Sequence, residues 1–320
     1  MTMLKHGARQ SGRALFCAAL LAVLAACGGG GTSQVVTFAP TRVIVFGDET
    51  SVITDKGRKY GVNAVNSTYT DEISCSGNPN WVQSLASTYG VVFSQCNPSN
   101  LATTKGMMYA TYGAKVADVA TKIDAHFAID TFGAKDLVPV LVGANDILEL
   151  YKQFPAVTRA VLLADAGTRG RNLATQINRI ANAGGKVLAV TVPDQGLTPY
   201  ALTEKANYAD INRAQLLSDL TTEFNTQMRL NILEDGSKIG LVLADEAIQA
   251  IAKYPSSYGY TNVTEVNCWT TIDILDCTTL TTTSNTSGGT YLWANTLLLG
   301  PSGQSRIASL AQTRASSNPF

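Results

Sequence analysis

Four short apolar runs, each separated from the next by a stretch of helical periodicity, constrain this chain more than any other feature. Residues 42–46 and 137–142 are rich in Val, Ile and Leu with no polar alternation, the pattern of strands buried on both faces. Residues 186–192 and 239–243 read the same way. Helical spacing predicts helices over 81–89, 115–128, 160–183, 208–234 and, at the C-terminus, 302–313. Gly184-Gly185 and Asp235-Gly236 punctuate two of these ends. Strands that alternate with helices need crossover connections, which give a parallel sheet covered on both faces. The expected fold class is therefore α/β, a three-layer sandwich with a central parallel sheet.

The N-terminus reads as a targeting segment. Lys5, Arg9 and Arg13 precede an apolar stretch over 14–23, and Leu24-Ala25-Ala26-Cys27 follows. This combination predicts a lipoprotein signal peptide over 1–26, lipidated at Cys27. Residues 27–40, beginning with Gly28 to Gly31, predict a flexible tether, and 41–320 the folded domain. Two acyl chains on Cys27 would hold the protein at a membrane without spanning it. The expected location is the bacterial cell envelope. Gly28 after the lipid cysteine, in place of aspartate, resembles outer-membrane lipoproteins.

Loss of the leader removes three basic residues and no acids. The remaining 21 basic against 24 acidic residues give a net charge of −3, which excludes the electrostatic footprint of a nucleic-acid binder. Cys75, Cys96, Cys268 and Cys277 remain for disulfides, which an exported chain can keep. Of three possible connectivities, Cys75–Cys96 and Cys268–Cys277 are favoured because each closes a short loop in a polar segment. No Cys-x-x-Cys or histidine cluster is present, so no metal or other cofactor is expected.

In open parallel sheets, sites form beyond the carboxyl ends of the strands. Asp48-Glu49, Gly143-Ala144-Asn145-Asp146 and Asp194 all follow expected strands. Phe46-Gly47-Asp48, Tyr109 to Ala114, Val142-Gly143-Ala144-Asn145-Asp146 and Leu292 to Leu298, taken in this order, resemble the blocks of the GDSL/SGNH esterase family. Asn80 to Ala86 and Val192 to Pro199 are similar to its intermediate segments. The resemblance covers about residues 41–315 and implies an SGNH-hydrolase-like, flavodoxin-like fold. It also implies oxyanion-hole donors at Gly113 and Asn145.

Three positions depart from the family. Its catalytic serine is replaced by Glu49, its triad aspartate by Asn295 and its histidine by Leu298. Tyr112 stands where a glycine is usual. A serine hydroxyl needs a base to take its proton, and the base needs an orienting carboxylate. The chain has only two histidines: His6 in the leader and His126, expected as a solvated residue on the 115–128 helix.

Glu49 is read first as a plug for the hole, accepting from Asn145 and the Gly113 amide. Alternatively it supplies new chemistry as base or nucleophile with Asp48, Asp146 or Asp194, as paired carboxylates can, or it is a solvated turn residue without a special role. Ser51 is a displaced nucleophile in a further reading. Asp48, Glu49, Asp146 and Asp194 offer hard oxygens for calcium or magnesium, without a loop motif to support such a site. The expected function is a degenerate esterase-fold lipoprotein that binds an acyl or glycan ligand or an envelope protein. The alternatives are an active esterase working near Glu49 and Ser51, and a carboxylate enzyme acting on a glycan.

Overall fold

The computed structural model describes residues 38–66, 72–283 and 289–320. The leader, Cys27 and most of the expected tether lie outside them. Strand β1 (Arg42–Gly47) leads through a single 3-10 turn (Glu49–Ser51) and the ribbon of β2 (Ala64–Val65) and β3 (Ile73–Ser74) to α1 (Trp81–Thr88). Then come β4 (Gly106–Met108), α2 (Val116–Phe127), β5 (Asp136–Leu141), α3 (Ala144–Tyr151) and α4 (Arg159–Asn182). After β6 (Lys186–Val190) follow α5 (Pro199–Asn207) and α6 (Arg213–Asn231), and after β7 (Ile239–Val242) follows α7 (Ala244–Lys253). Strands β8 (Asn262–Val266) and β9 (Tyr291–Trp293) pair in parallel ahead of α8 (Pro301–Ser317).

The main sheet has five parallel strands in the order β4-β1-β5-β6-β7. Leaving β1, the chain turns to one side for β4 and to the other for β5. The order therefore reverses between β1 and β5, which opens a crevice at their carboxyl ends. The two faces separate by the period-two rule. Ile44 and Phe46 of β1 pack with Val138 and Val140 of β5 against α2, α4 and α6. Val43, Val45 and Leu137 face α1, α7 and α8, with Trp81 and Ile307 fully enclosed among them. Continuous apolar runs are needed because both faces are covered. Pro139 lies inside β5 in register with Leu188 of β6. Its fixed φ falls within the extended region, and its missing N–H removes one ladder donor.

Both disulfides form as Cys75–Cys96 and Cys268–Cys277. The second staples the excursion between β8 and β9.

The structure corrects two expectations. The 208–234 helix begins later: Tyr208 ends α5, and α6 starts at Arg213. Asn212 Oδ1 accepts from Gln215 N at 3.1 Å, a side-chain cap that fixes the start. His126 is not solvated but fully buried. Its ring lies against Phe132, with centroids 4.4 Å apart, and Phe46 and Tyr109 meet it edge-on. Its Nδ1 is 3.1 Å from the Tyr109 hydroxyl, and burial lowers its pKa. Amphipathic spacing alone does not show that the neighbouring aromatic side chains enclose this helical position.

Candidate functional site

Three loops meet at the switch point. The first follows β1, where Asp48 Oδ1 accepts from Thr50 N at 3.0 Å and starts the 3-10 turn carrying Glu49 and Ser51. The second follows β4, where Gly113 has φ +72°, a left-handed conformation that turns its N–H toward β1. The third follows β5, where Gly143 has φ +134°, and a side chain there would strike Phe224 at 2.5 Å. That glycine lets α3 begin directly beneath the sheet edge, with Asn145 in its first turn.

Glu49 occupies the meeting point. Its Oε2 accepts from Gly113 N at 2.9 Å and from Asn145 Nδ2 at 3.0 Å. Asn145 Nδ2 also reaches Ala114 O at 3.2 Å, so its amide plane is fixed between two loops. One carboxylate oxygen thus bridges the β4 and β5 loops.

The other carboxylates are spread around this point with different tasks. Asp48 is buried, and burial, together with the neighbouring Glu49 charge, raises its pKa well above the usual carboxylate range. Asp146 Oδ2 accepts from Val116 N at 3.0 Å and so caps α2, while Oδ1 lies 3.3 Å from Arg169. Its pKa is raised by burial, against the pull of the Val116 N–H and Arg169. Asp194 is turned toward the helices. Its Oδ1 accepts from Gly196 N and Ser218 Oγ, and its Oδ2 from Gln249 Nε2 at 3.0 Å. Asp146 and Asp194 are therefore engaged in holding loops to helices.

Ser51 is buried and accepts the indole N–H of Trp81 at 3.0 Å. Asn295 Oδ1 accepts from the amides of Leu297 and Leu298 at 3.0 and 2.8 Å and shapes its own turn. That turn directs Leu297 and Leu298 into the space beside Glu49. What remains there is about 20 Å³, bounded also by Asp48, Leu148 and Val192. This volume holds about one water molecule.

Several contributors carried no sequence signal. Gln304 of α8 accepts from Trp81 N at 3.0 Å and donates to Thr50 O at 3.3 Å, tying the last helix to the Glu49 turn. Lys59 is buried, and its Nζ donates to Cys75 O and Gly77 O, both at 2.8 Å. Burial lowers its pKa to about 8. It makes no hydrogen bond to Ser51, so a serine–lysine pair is not assembled. Tyr60 and Tyr112 stack at 4.9 Å, with Tyr112 exposed at the rim. Among the described residues, no group of three or more His, Cys, Asp or Glu side chains could hold a metal ion.

No family model matches the chain, and no curated protein does. Solved structures are similar in backbone course. A lipase from a goat rumen metagenome aligns at 12% identity over 87% of this chain and 99% of its own, with TM-score 0.49. A lipolytic protein of the G-D-S-L family from Veillonella parvula aligns at 12% identity over 85% and 96%, with TM-score 0.42. A catalytic mutant of an acetylxylan esterase from Geobacillus stearothermophilus aligns at 12% identity over 89% and 98%, with TM-score 0.45. At such identities the chemistry has to be read from this chain's own residues.

Proposed function

We propose that this protein is a catalytically silent relative of the GDSL/SGNH esterases, lipid-anchored through Cys27, that serves as a binding or scaffold protein of the bacterial cell envelope. The observation that carries this reading is the placement of Glu49 Oε2 on both Gly113 N and Asn145 Nδ2. Acyl transfer needs a nucleophile, a base and free donors for the developing oxyanion. Here a fixed carboxylate already occupies the two donors. An ester carbonyl entering the same point would meet a negative charge in place of N–H groups. Among the described residues no imidazole faces the turn, because His126 is enclosed by Phe46, Tyr109 and Phe132. Leu297 and Leu298 line a space of about 20 Å³, too small for an acyl chain.

Lipid attachment, the outer-membrane location and an envelope partner rest on the leader sequence and Gly28. The test is hydrolysis of acetyl, butyryl and octanoyl esters by the full chain in detergent, beside Glu49→Ala and Ser51→Ala. No turnover above buffer is expected from any of the three. Turnover abolished by Glu49→Ala would overturn the reading in favour of new chemistry at that carboxylate. Turnover abolished by Ser51→Ala alone would identify a displaced nucleophile.

A further inference from the structure

A second, more open space lies away from the Glu49 crevice. A cavity of about 540 Å³ is bounded by the first turns of α8, by α1 and by the 3-10 turn after α7 that carries Tyr258. Its floor is one face of α8, where Ser302, Ser305, Arg306 and Ser309 recur at helical spacing. Unlike the leucine-lined crevice, this face presents hydroxyls and a cation, and it offers an acyl chain little to bury against.

The polarity of the groups is directional. Ser302 Oγ donates to Gly289 O, and Ser309 Oγ donates to Ser305 O at 3.0 Å. Both hydroxyl protons are therefore committed; the Tyr260 side chain also hydrogen-bonds Ser302, which leaves chiefly the Ser309 lone pairs to accept from a ligand. Arg306 is the opposite case. No acidic side chain among the described residues pairs with it, its Nε is buried without a hydrogen-bond partner, and its guanidinium lies 5.6 Å from the Tyr258 ring centroid. A half-buried guanidinium without a counter-charge favours an anion, which its planar fork can bind through two hydrogen bonds. A ligand matching the whole face carries O–H donors for the serine lone pairs and an anionic group for Arg306. It also has a ring small enough for the cavity that can rest against Tyr258.

We infer that this cavity binds a monosaccharide-sized sugar anion, a carboxylated or phosphorylated sugar, with Arg306 holding the charged group. The site deepens the binding-protein reading without using the Glu49 crevice, so the hydrolysis assay and a binding titration fail separately.

The test is calorimetric titration of the full chain in detergent with glucuronate, glucose 6-phosphate, neutral glucose and inorganic phosphate. One of the two sugar anions is expected to bind, and which one identifies the charged group. Glucose and phosphate are expected to bind at least about tenfold more weakly, because each lacks half of the complementary groups. Arg306→Gln is expected to weaken the sugar anion by about tenfold or more, with an unchanged melting temperature showing that the fold is intact. Ser309→Leu, which fills the cavity from an exposed helix position, provides a second variant and is expected to abolish binding. No binding of either sugar anion, equal binding of neutral glucose or of phosphate alone, or binding indifferent to both substitutions would overturn the assignment.

Discussion

The indole N–H of Trp81 donates to Ser51 Oγ across 3.0 Å, in a setting where both residues are fully buried. Ser51 therefore belongs to the packing between the Glu49 turn and α1. Replacing it with alanine leaves a buried N–H without an acceptor. We expect Ser51→Ala to cost roughly 1–3 kcal/mol, seen in urea or thermal unfolding, and to change no ligand affinity. An unfolding free energy equal to that of the parent would show that the indole finds another acceptor.

Glu49→Ala removes the acceptor shared by Gly113 N and Asn145 Nδ2. Glu49 is half-buried and water can replace part of the loss, so the expected cost is about 1–2 kcal/mol, or a few degrees in Tm. Glu49→Gln keeps one oxygen and should recover part of it. If both variants melt with the parent, the bridge between the two loops contributes nothing to stability.

Asp48 gives a pH dependence with a definite sign. Its folded pKa lies well above the unfolded value because burial disfavours the charged form. The folded state therefore holds the proton more tightly. This contribution to stability is complete below the unfolded value near 4 and declines as pH rises toward the folded one. Asp48→Asn keeps an oxygen for Thr50 N and removes the titration. As pH rises above about 4, the variant should lose less stability than the parent and so gain on it. Parallel stability–pH curves would show that the Asp48 proton is not linked to folding.

Installing a serine, an aspartate and a histidine in the crevice tests the proposed kinship with the esterases. Leu298 borders the same small space as Glu49, so Leu298→His brings an imidazole to that space and Glu49→Ser frees the two donors. The triple variant Glu49→Ser, Asn295→Asp, Leu298→His should hydrolyse acetyl esters measurably above buffer and octanoyl esters not at all. Leu297 and Leu148 still limit the volume. A folded triple variant with no acetyl esterase activity would mean that the loops have moved beyond catalytic register.

The loop between Cys75 and Cys96 spans 21 residues and also carries both carbonyls that accept from Lys59, those of Cys75 and Gly77. In the chain-entropy model, opening a loop of this length costs about 3 kcal/mol, slightly more than opening the nine-residue separation of Cys268–Cys277. Paired Cys75→Ala, Cys96→Ala should therefore lower Tm more than the other pair. The reverse order would place the stabilisation in the β8–β9 excursion.

Strand identity was legible in the sequence because a strand covered on both faces must be apolar throughout, as Val43 to Phe46 and Leu137 to Val142 are. The cysteine pairs were legible for a related reason, since short polar loops leave few partners within reach. The break at Tyr208 was not. It depends on Asn212 capping α6, a choice between competing backbone hydrogen bonds that periodicity does not register. Strand β4 was also hidden, because three residues, one of them Gly106, form an edge too short to show a pattern.

By itself, then, the sequence determined the alternation of strands and helices and which polar groups, Glu49, Asn145 and Asn295 among them, follow the strands. Only the tertiary structure decided where those groups act. The Glu49 carboxylate meets Gly113 N and Asn145 Nδ2 because the sheet reverses its strand order between β1 and β5, which gathers three distant loops at one edge. His126 is buried, Ser51 is tied to Trp81 and Arg306 has no carboxylate partner among the described residues for the same kind of reason. Each depends on which side chains other elements bring near, and contacts made across such sequence distances follow from packing the whole chain, not from any local pattern.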